Sequence, residues 1–302
     1  MRRALAAATG LLLMAGGVAA HEAPAQPGPA AWSGEAWLWL LWGLPGLLVL
    51  AGTARLWQQA GVGAGVSRLQ ATSFVLGWWT LGLCLLSPLD AFGQVLFWAH
   101  MVQHELMMLV AAPLLVLARP LGPLVWGLPT RWRPGAATLA RGLGLQAAMR
   151  LLTRPAVAWW VHAVVLWGWH APSLFSAALV TRWVHELQHT SFLLAALVFW
   201  WSVLPLAGRG REGPAMFSVF TTLLHTGLLG ALLTFSERAW YAPYVATAPA
   251  RGMSAVEDQQ LGGLIMWVPG SVAYLAAALV LCAAWLQASG SRRAGWAQRP
   301  RP

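Results

Sequence analysis

Long apolar runs alternate along the chain with short gaps that carry arginine, proline and glycine, a pattern that predicts membrane-crossing helices. Seven runs are long enough to cross about 30 Å of hydrocarbon at about 1.5 Å per residue. They lie near 36–55, 69–87, 91–118, 155–175, 184–206, 214–235 and 261–287. Pro45, Pro113 and Pro269 fall inside them, which membrane helices tolerate when neighbours satisfy the freed carbonyls. Upstream, Arg2 and Arg3 precede an apolar run from Leu5 to Val18 and then the small residues Ala19 and Ala20. That order reads as a cleavable signal peptide, the alternative being an uncleaved anchor. The expected fold is all-α, a polytopic membrane bundle of seven transmembrane helices after a signal peptide. Its parts are a signal peptide at 1–20, a short extracytoplasmic segment at 21–34, the helical domain at 35–287 and a basic cytoplasmic tail at 288–302.

Composition agrees and adds a direction. Of 302 residues 58% are hydrophobic and only 9% charged, against roughly 25% charged in soluble domains, which excludes an ordinary water-soluble fold. The net charge of +10 comes from arginine alone, placed mostly in the gaps. Charge so placed orients a chain in a bilayer, and we read no nucleic-acid surface from it. With the mature N-terminus outside, seven crossings leave the C-terminus in the cytoplasm. The inner segments then hold fourteen arginines and the outer ones only Arg182, Arg238 and Arg251, while Asp90, Glu237, Glu257 and Asp258 lie at the outer side. The 119–154 connection, with an interfacial helix expected near 136–152, presents a basic surface to anionic lipid or to a partner. Cys84 and Cys282 both sit in apolar runs and read as small buried hydrophobes.

The chemistry lies in the histidines. Seven of the eight fall in or at the ends of the runs: His100, His104, His162, His170, His185, His189 and His225. Ionisable groups are costly there and mark a pathway, a cofactor or a metal. His100 and His104 are four apart, as are His185 and His189, so each pair shares a helix face and two helices offer four imidazoles. Counted from Ala91, the first pair lies roughly 14–20 Å into its run. His185, His189 and His170 lie nearer the outer surface, and His162 and His225 nearer the midplane. Imidazole suits copper, zinc and iron, and thioether selects Cu(I). Met101, Met107 and Met108 flank the first pair, and Met253 and Met266 lie near the last run, although plain packing is the stronger reading of each. Glu105 reads as a group that orients a ligating histidine or carries a proton. His185-Glu186-Leu187-Gln188-His189 also matches the His-Glu-x-x-His pattern of zinc metalloproteases, with Asp258 as the nominal third ligand.

Several separated stretches carry a resemblance. These are His100-Met101-Val102-Gln103-His104 leading to Pro113 and Pro120, Trp167-Gly168-Trp169-His170-Ala171-Pro172, and the run from His185 to Phe192 ending in Phe199-Trp200-Trp201. With Asp258-Gln259-Gln260-Leu261-Gly262-Gly263 and Trp267-Val268-Pro269-Gly270, they resemble CtaG-type cytochrome c oxidase assembly factors over about residues 35–287. The resemblance implies a multi-pass protein of the bacterial plasma membrane that helps build the terminal oxidase, with oxidase subunits and membrane lipid as partners and no catalytic turnover of its own. From the histidines we expect copper held by His100, His104, His185 and His189, with His170 as a further or transfer ligand. Glu105, His162, His225 and Asp258 are expected as accessory groups, although a cap on the last helix is the stronger reading of Asp258, and His21 reads as an exposed residue before a metal-capturing one. The alternatives are a haem b carrier with two histidine ligands, a metal-free assembly scaffold, and an intramembrane zinc protease.

Overall fold

The computed structural model describes residues 32–204 and 212–297. The signal peptide, His21, the loop at Arg209 and Arg211 and the end of the basic tail lie outside the described residues. Within them every regular element is helical. In chain order these are α1 (Ala36–Ala60), α2 (Arg68–Leu86), α3 (Pro88–Gly93), α4 (Phe97–Ala118), α5 (Leu121–Gly127), α6 (Arg133–Gly142), α7 (Leu145–Leu152), α8 (Pro155–His170), α9 (Pro172–Val180), α10 (Arg182–Val203), α11 (Glu212–Thr234), α12 (Ala242–Thr247) and α13 (Ala255–Ala297).

Five of these, α1, α2, α4, α11 and α13 as far as Gln287, are long and apolar enough to cross a membrane. A sixth is made by α8 and α9 if that pair, bent by 73°, is one span. The bend sits where the residue before a proline leaves helical backbone: Ala171 has φ −61° and ψ 129°, and Pro172 opens α9. The expected single run at 155–175 is therefore two helices. α10 has 22 residues, enough to span, but Arg182, His185, Glu186, Gln188 and His189 crowd its first turns and make it less apolar than the others. Those residues are the ones with chemistry, and they are why the described helices support five or six crossings by composition where seven were expected.

Two other expectations shift. The run expected from residue 91 breaks at Gln94–Leu96, between α3 and α4, and α4 starts at Phe97. His100 and His104 consequently lie only about 5–11 Å from the start of their helix, shallower than counting from Ala91 gave. The interfacial helix expected near 136–152 is two short helices, broken where Gly144 takes φ 65°. α4 itself runs through a π-helical turn at Leu106–Ala111, just before Pro113, whose missing N–H the wider turn accommodates.

α4 is the most deeply buried of the spans. Phe97, Ala99, Met107, Ala111 and Ala112 are fully buried along it, and α2, α10 and α13 pack around it. The tightest pair is α11 with α13, where small residues let the backbones approach. A Cβ on Gly263 would lie 2.7 Å from the Thr234 amide nitrogen, and one on Gly230 would lie 2.8 Å from that of Trp267. α1 is tied to α5 by the Arg55 guanidinium, which donates to the carbonyls of Trp126, Gly127 and Leu128 at 2.8–3.2 Å, a cation on the carbonyl end of a helix. Cys84 is buried and Cys282 partly so, and neither is in a disulfide.

Candidate metal centre

Facing turns of α4 and α10 interleave their histidines near the ends of those helices closest to Asp90. Ring centroids are 4.3 Å apart for His100–His104, 4.1 Å for His185–His189, 5.2 Å for His104–His189, 5.6 Å for His100–His185 and 5.7 Å for His100–His189. All four are at least nine-tenths buried. Among the described residues, His100, His185 and His189 form a group whose ligand atoms all lie within 4.8 Å of one another. A tetrahedral site with metal–nitrogen bonds of about 2.0 Å needs donors about 3.3 Å apart, so small side-chain rotations would close the group on one ion.

Hydrogen bonds decide which nitrogens are free to ligate. The carbonyl of Gly93 can only accept, so it holds the proton of His100 on Nδ1 at 3.2 Å and leaves Nε2 with its lone pair. That lone pair faces Gln188 Oε1 at 3.3 Å, while the Gln188 amide nitrogen is buried without a partner. Rotating the amide makes it a donor to His100; a cation bridging His100 and the amide oxygen satisfies the arrangement as drawn. His170 is set in the same way. Its Nδ1–H donates to the Leu166 carbonyl at 2.7 Å and its buried Nε2 has no partner. Both nitrogens of His104 and Nε2 of His189 are likewise buried without hydrogen bonds. A buried polar atom left unpaired costs roughly 1–3 kcal/mol, and lone pairs of this kind are open to an ion or a water.

The walls are aromatic and anchored. Phe192 lies 4.5 Å from the His104 ring and Phe175, on α9, 5.0 Å from that of His100. His170 is 6.0 Å from both phenylalanines. Tyr244 donates to the Gly93 carbonyl at 2.7 Å and Tyr241 to that of His170 at 3.1 Å. Burial pushes both phenols up, so they stay protonated donors. Gln103 bridges the Cys84 carbonyl (2.6 Å) and Asp90 Oδ1 (2.8 Å), and Gln94 meets His185 Nε2 at 3.0 Å. Gln94, Gln103 and Gln188 were missed by the sequence reading. Gln188 was visible as the residue three after His185, whereas Gln94 carries no local signal.

The accessory residues divide. His162 and His225 do not join the cluster; they form a second polar pair 6.0 Å apart, His162 against the Tyr274 hydroxyl (3.3 Å) and His225 accepting from Trp167 Nε1 (3.3 Å). Glu105 faces α13 at Gly270, where a Cβ would lie 3.0 Å from its Oε2, and that oxygen is buried without a partner. Since it points toward α13, it does not orient His104. Asp258 is not a ligand and does not cap its own helix. It reaches across to cap α4, accepting from the Phe97 and Trp98 amides at 2.7 and 2.9 Å. Its neighbours brace the same corner: Gln259 accepts from the Trp240 amide at 2.6 Å, and Gly262 lets Phe97 and Met101 pack on α13. Met101 is therefore packing. The metalloprotease arrangement loses its parts as well, since Glu186 pairs with Arg182 at 3.0 Å and Asp258 is engaged elsewhere.

A cleft of about 410 Å³ leads to the cluster, lined by Glu35, Trp37, Asp90, Gln94, Arg182, His185, Glu186 and His189 among others. Across its mouth Arg182 bonds Glu35 at 2.7 Å and Glu186 at 3.0 Å. The Arg182 hydrogen bond holds the Glu35 carboxyl below the usual carboxylate range.

Comparison with known sequences places these residues in context. The profile of the family described as Cytochrome c oxidase caa3 assembly factor (Caa3_CtaG) matches residues 47–288. Two uncharacterised proteins, from Mycobacterium bovis and Mycobacterium tuberculosis, are each 25% identical over 190 residues, 60% of this chain and 28% of theirs. The chain thus aligns with little more than a quarter of these longer relatives. No solved structure gives a significant match.

Proposed function

The chain belongs to the caa3-type cytochrome c oxidase assembly factor family, and from that premise we propose that it holds copper on the imidazoles of α4 and α10 while the oxidase metal centre matures. The observation that carries the proposal is the convergence of His100, His185 and His189 within 4.8 Å, beside His104 with both ring nitrogens unpaired. These residues would bind the ion, and His170, beside Phe175 and Phe192 with Nε2 unpaired, is the group to which it passes. Copper is cargo in this reading and no turnover is required. Several imidazoles in an aromatic-walled site suit Cu(I), Cu(II) or Zn by ligand type; the family's association with the oxidase favours copper.

Seven crossings, counting α10 and the bent α8–α9 pair as spans, put the Asp90 end outside and the arginine-rich loops in the cytoplasm, in a bacterial plasma membrane with lipid around the bundle. A signal peptide at 1–20, a transmembrane domain at 35–287 and a cytoplasmic tail complete the proposal. The ligand end then faces the side from which extracytoplasmic copper arrives, and oxidase subunits are the partners. A haem b carrier fits less well, because the four rings interleave at 4.1–5.7 Å and leave no slot for a macrocycle. A metal-free scaffold gives no reason for three imidazoles to converge within 4.8 Å. In cells whose only copy carries His185→Ala with His189→Ala, oxidase should be deficient in copper. Oxidase with full copper content from those cells would contradict the proposal.

A further inference from the structure

Any ion reaching four buried rings needs a route, and among the described residues one cleft reaches the cluster. His185 and His189 are 9% and 6% exposed, and both line the 410 Å³ cleft at the Asp90 end. Behind the lining, His189 Nε2 is buried without a hydrogen-bond partner. Three carboxylates, Glu35, Asp90 and Glu186, line the same space. They come from three separate parts of the chain: the segment before α1, helix α3 and the first turn of α10. One cation faces them. Arg182 spans the mouth, with its Nη1 on Glu35 and its Nε on Glu186, and its guanidinium lies 5.7 Å from the Trp37 ring centroid. About half of the Arg182 side chain is exposed, at 48%, so its release costs little burial.

We propose that this cleft is the port through which a soft metal cation reaches the histidines, and that Arg182 is its latch. Paired, Arg182 offsets one of the two carboxylate charges, and its guanidinium occupies the oxygens a cation would use. Displaced toward solvent, it exposes Glu35 and Glu186 as a capture site, from which the cation passes by Asp90 to His185 and then His189. Fields in a cleft of one sign raise the local concentration of an oppositely charged ligand, so the latch sets the rate of loading rather than the final occupancy. The inference rests on the copper reading above.

The test is stopped-flow loading of the full-length protein in detergent with Ag(I), a redox-inert stand-in for Cu(I), followed by metal content at saturation. Arg182→Gln should load roughly three- to ten-fold faster than wild type, with the advantage shrinking as salt is raised. Glu35→Gln with Glu186→Gln should load slower by a similar factor. All should reach the wild-type stoichiometry. Equal loading rates at equal stoichiometry would overturn the port. Because Arg182→Gln also unties the segment before α1 from α10, Arg182→Lys serves as the folding control: it keeps the charge and should load within about two-fold of wild type. Fast loading by Arg182→Lys as well would show that the tie, and not the charge, matters, and would overturn the electrostatic latch. Failure of wild type to take up Ag(I) at all would instead sink the copper reading, leaving the two failures distinguishable.

Discussion

Removal of the Asp258 carboxylate tests how the site is held in place. Asp258 is fully buried and accepts from the Phe97 and Trp98 amides at 2.7 and 2.9 Å. Asp258→Ala leaves both N–H groups without an acceptor. A lost cap costs about 0.5–2 kcal/mol and a hydrogen bond to a charged group about 1.5–3 kcal/mol, so the pair is worth roughly 2–4 kcal/mol. Asp258→Asn keeps one acceptor oxygen and should lose about half. At about 2–4 °C per kcal/mol for a chain of this size, Asp258→Ala should lower the unfolding midpoint in detergent by about 5–15 °C. The readout extends to the site, because His100 lies one turn beyond the capped amides: copper retained after purification should fall in the order wild type, Asn, Ala. Glu257→Gln is the control, since it preserves the capping box in which Glu257 accepts from the Ser254 amide and its own amide donates to the Ser254 hydroxyl. If Asp258→Ala unfolds within a degree or two of the Glu257→Gln protein, the cross-helix cap contributes nothing and the reasoning fails.

Other outcomes follow from the same geometry. Gly263→Ala, whose Cβ would crowd Thr234, should separate α11 from α13 and lower the unfolding midpoint by several degrees in a thermal scan. His162→Phe should leave copper stoichiometry at the wild-type value, since His162 contacts Tyr274 and His225 and not the cluster; copper loss in this variant would join the two polar groups. Glu186→Gln should likewise keep bound metal, whereas a protease would lose cleavage of a membrane substrate. The Glu35 carboxyl titrates below its ordinary value because Arg182 holds it charged, so its small stabilising effect is present above the unfolded value and is lost as pH falls through the lowered folded one. The difference in unfolding midpoint between wild type and Glu35→Gln should accordingly shrink as pH falls through the lowered value and vanish below it.

Much of this was legible because helices impose their period on sequence. The i, i+4 spacing of His100 with His104 and of His185 with His189 placed each pair on one face, and two such faces in an apolar bundle had few ways to be arranged except toward each other. What stayed hidden was non-local. Asp258 stands 161 positions from Phe97, whose amide it caps, so its neighbourhood in sequence says only that some helix starts nearby. The polar first turns of α10 make that helix a weak span by composition for the same reason that they make it the centre of the site. Ala171-Pro172 was visible as a motif, but only the backbone shows that it turns the chain by 73° and sets Phe175 beside His100. Glu105 was read as a partner of its sequence neighbour His104, yet adjacent residues on a helix point about 100° apart, and it faces Gly270.

Everything proposed for the site rests on copper and its imidazole ligands. Protein purified without chelator and loaded with Cu(I) should hold one copper per chain, with X-ray absorption showing imidazole scattering around it, and both should disappear in the His100→Ala, His104→Ala protein. Copper that is absent from wild type, or retained with an unchanged spectrum in the paired variant, would contradict it.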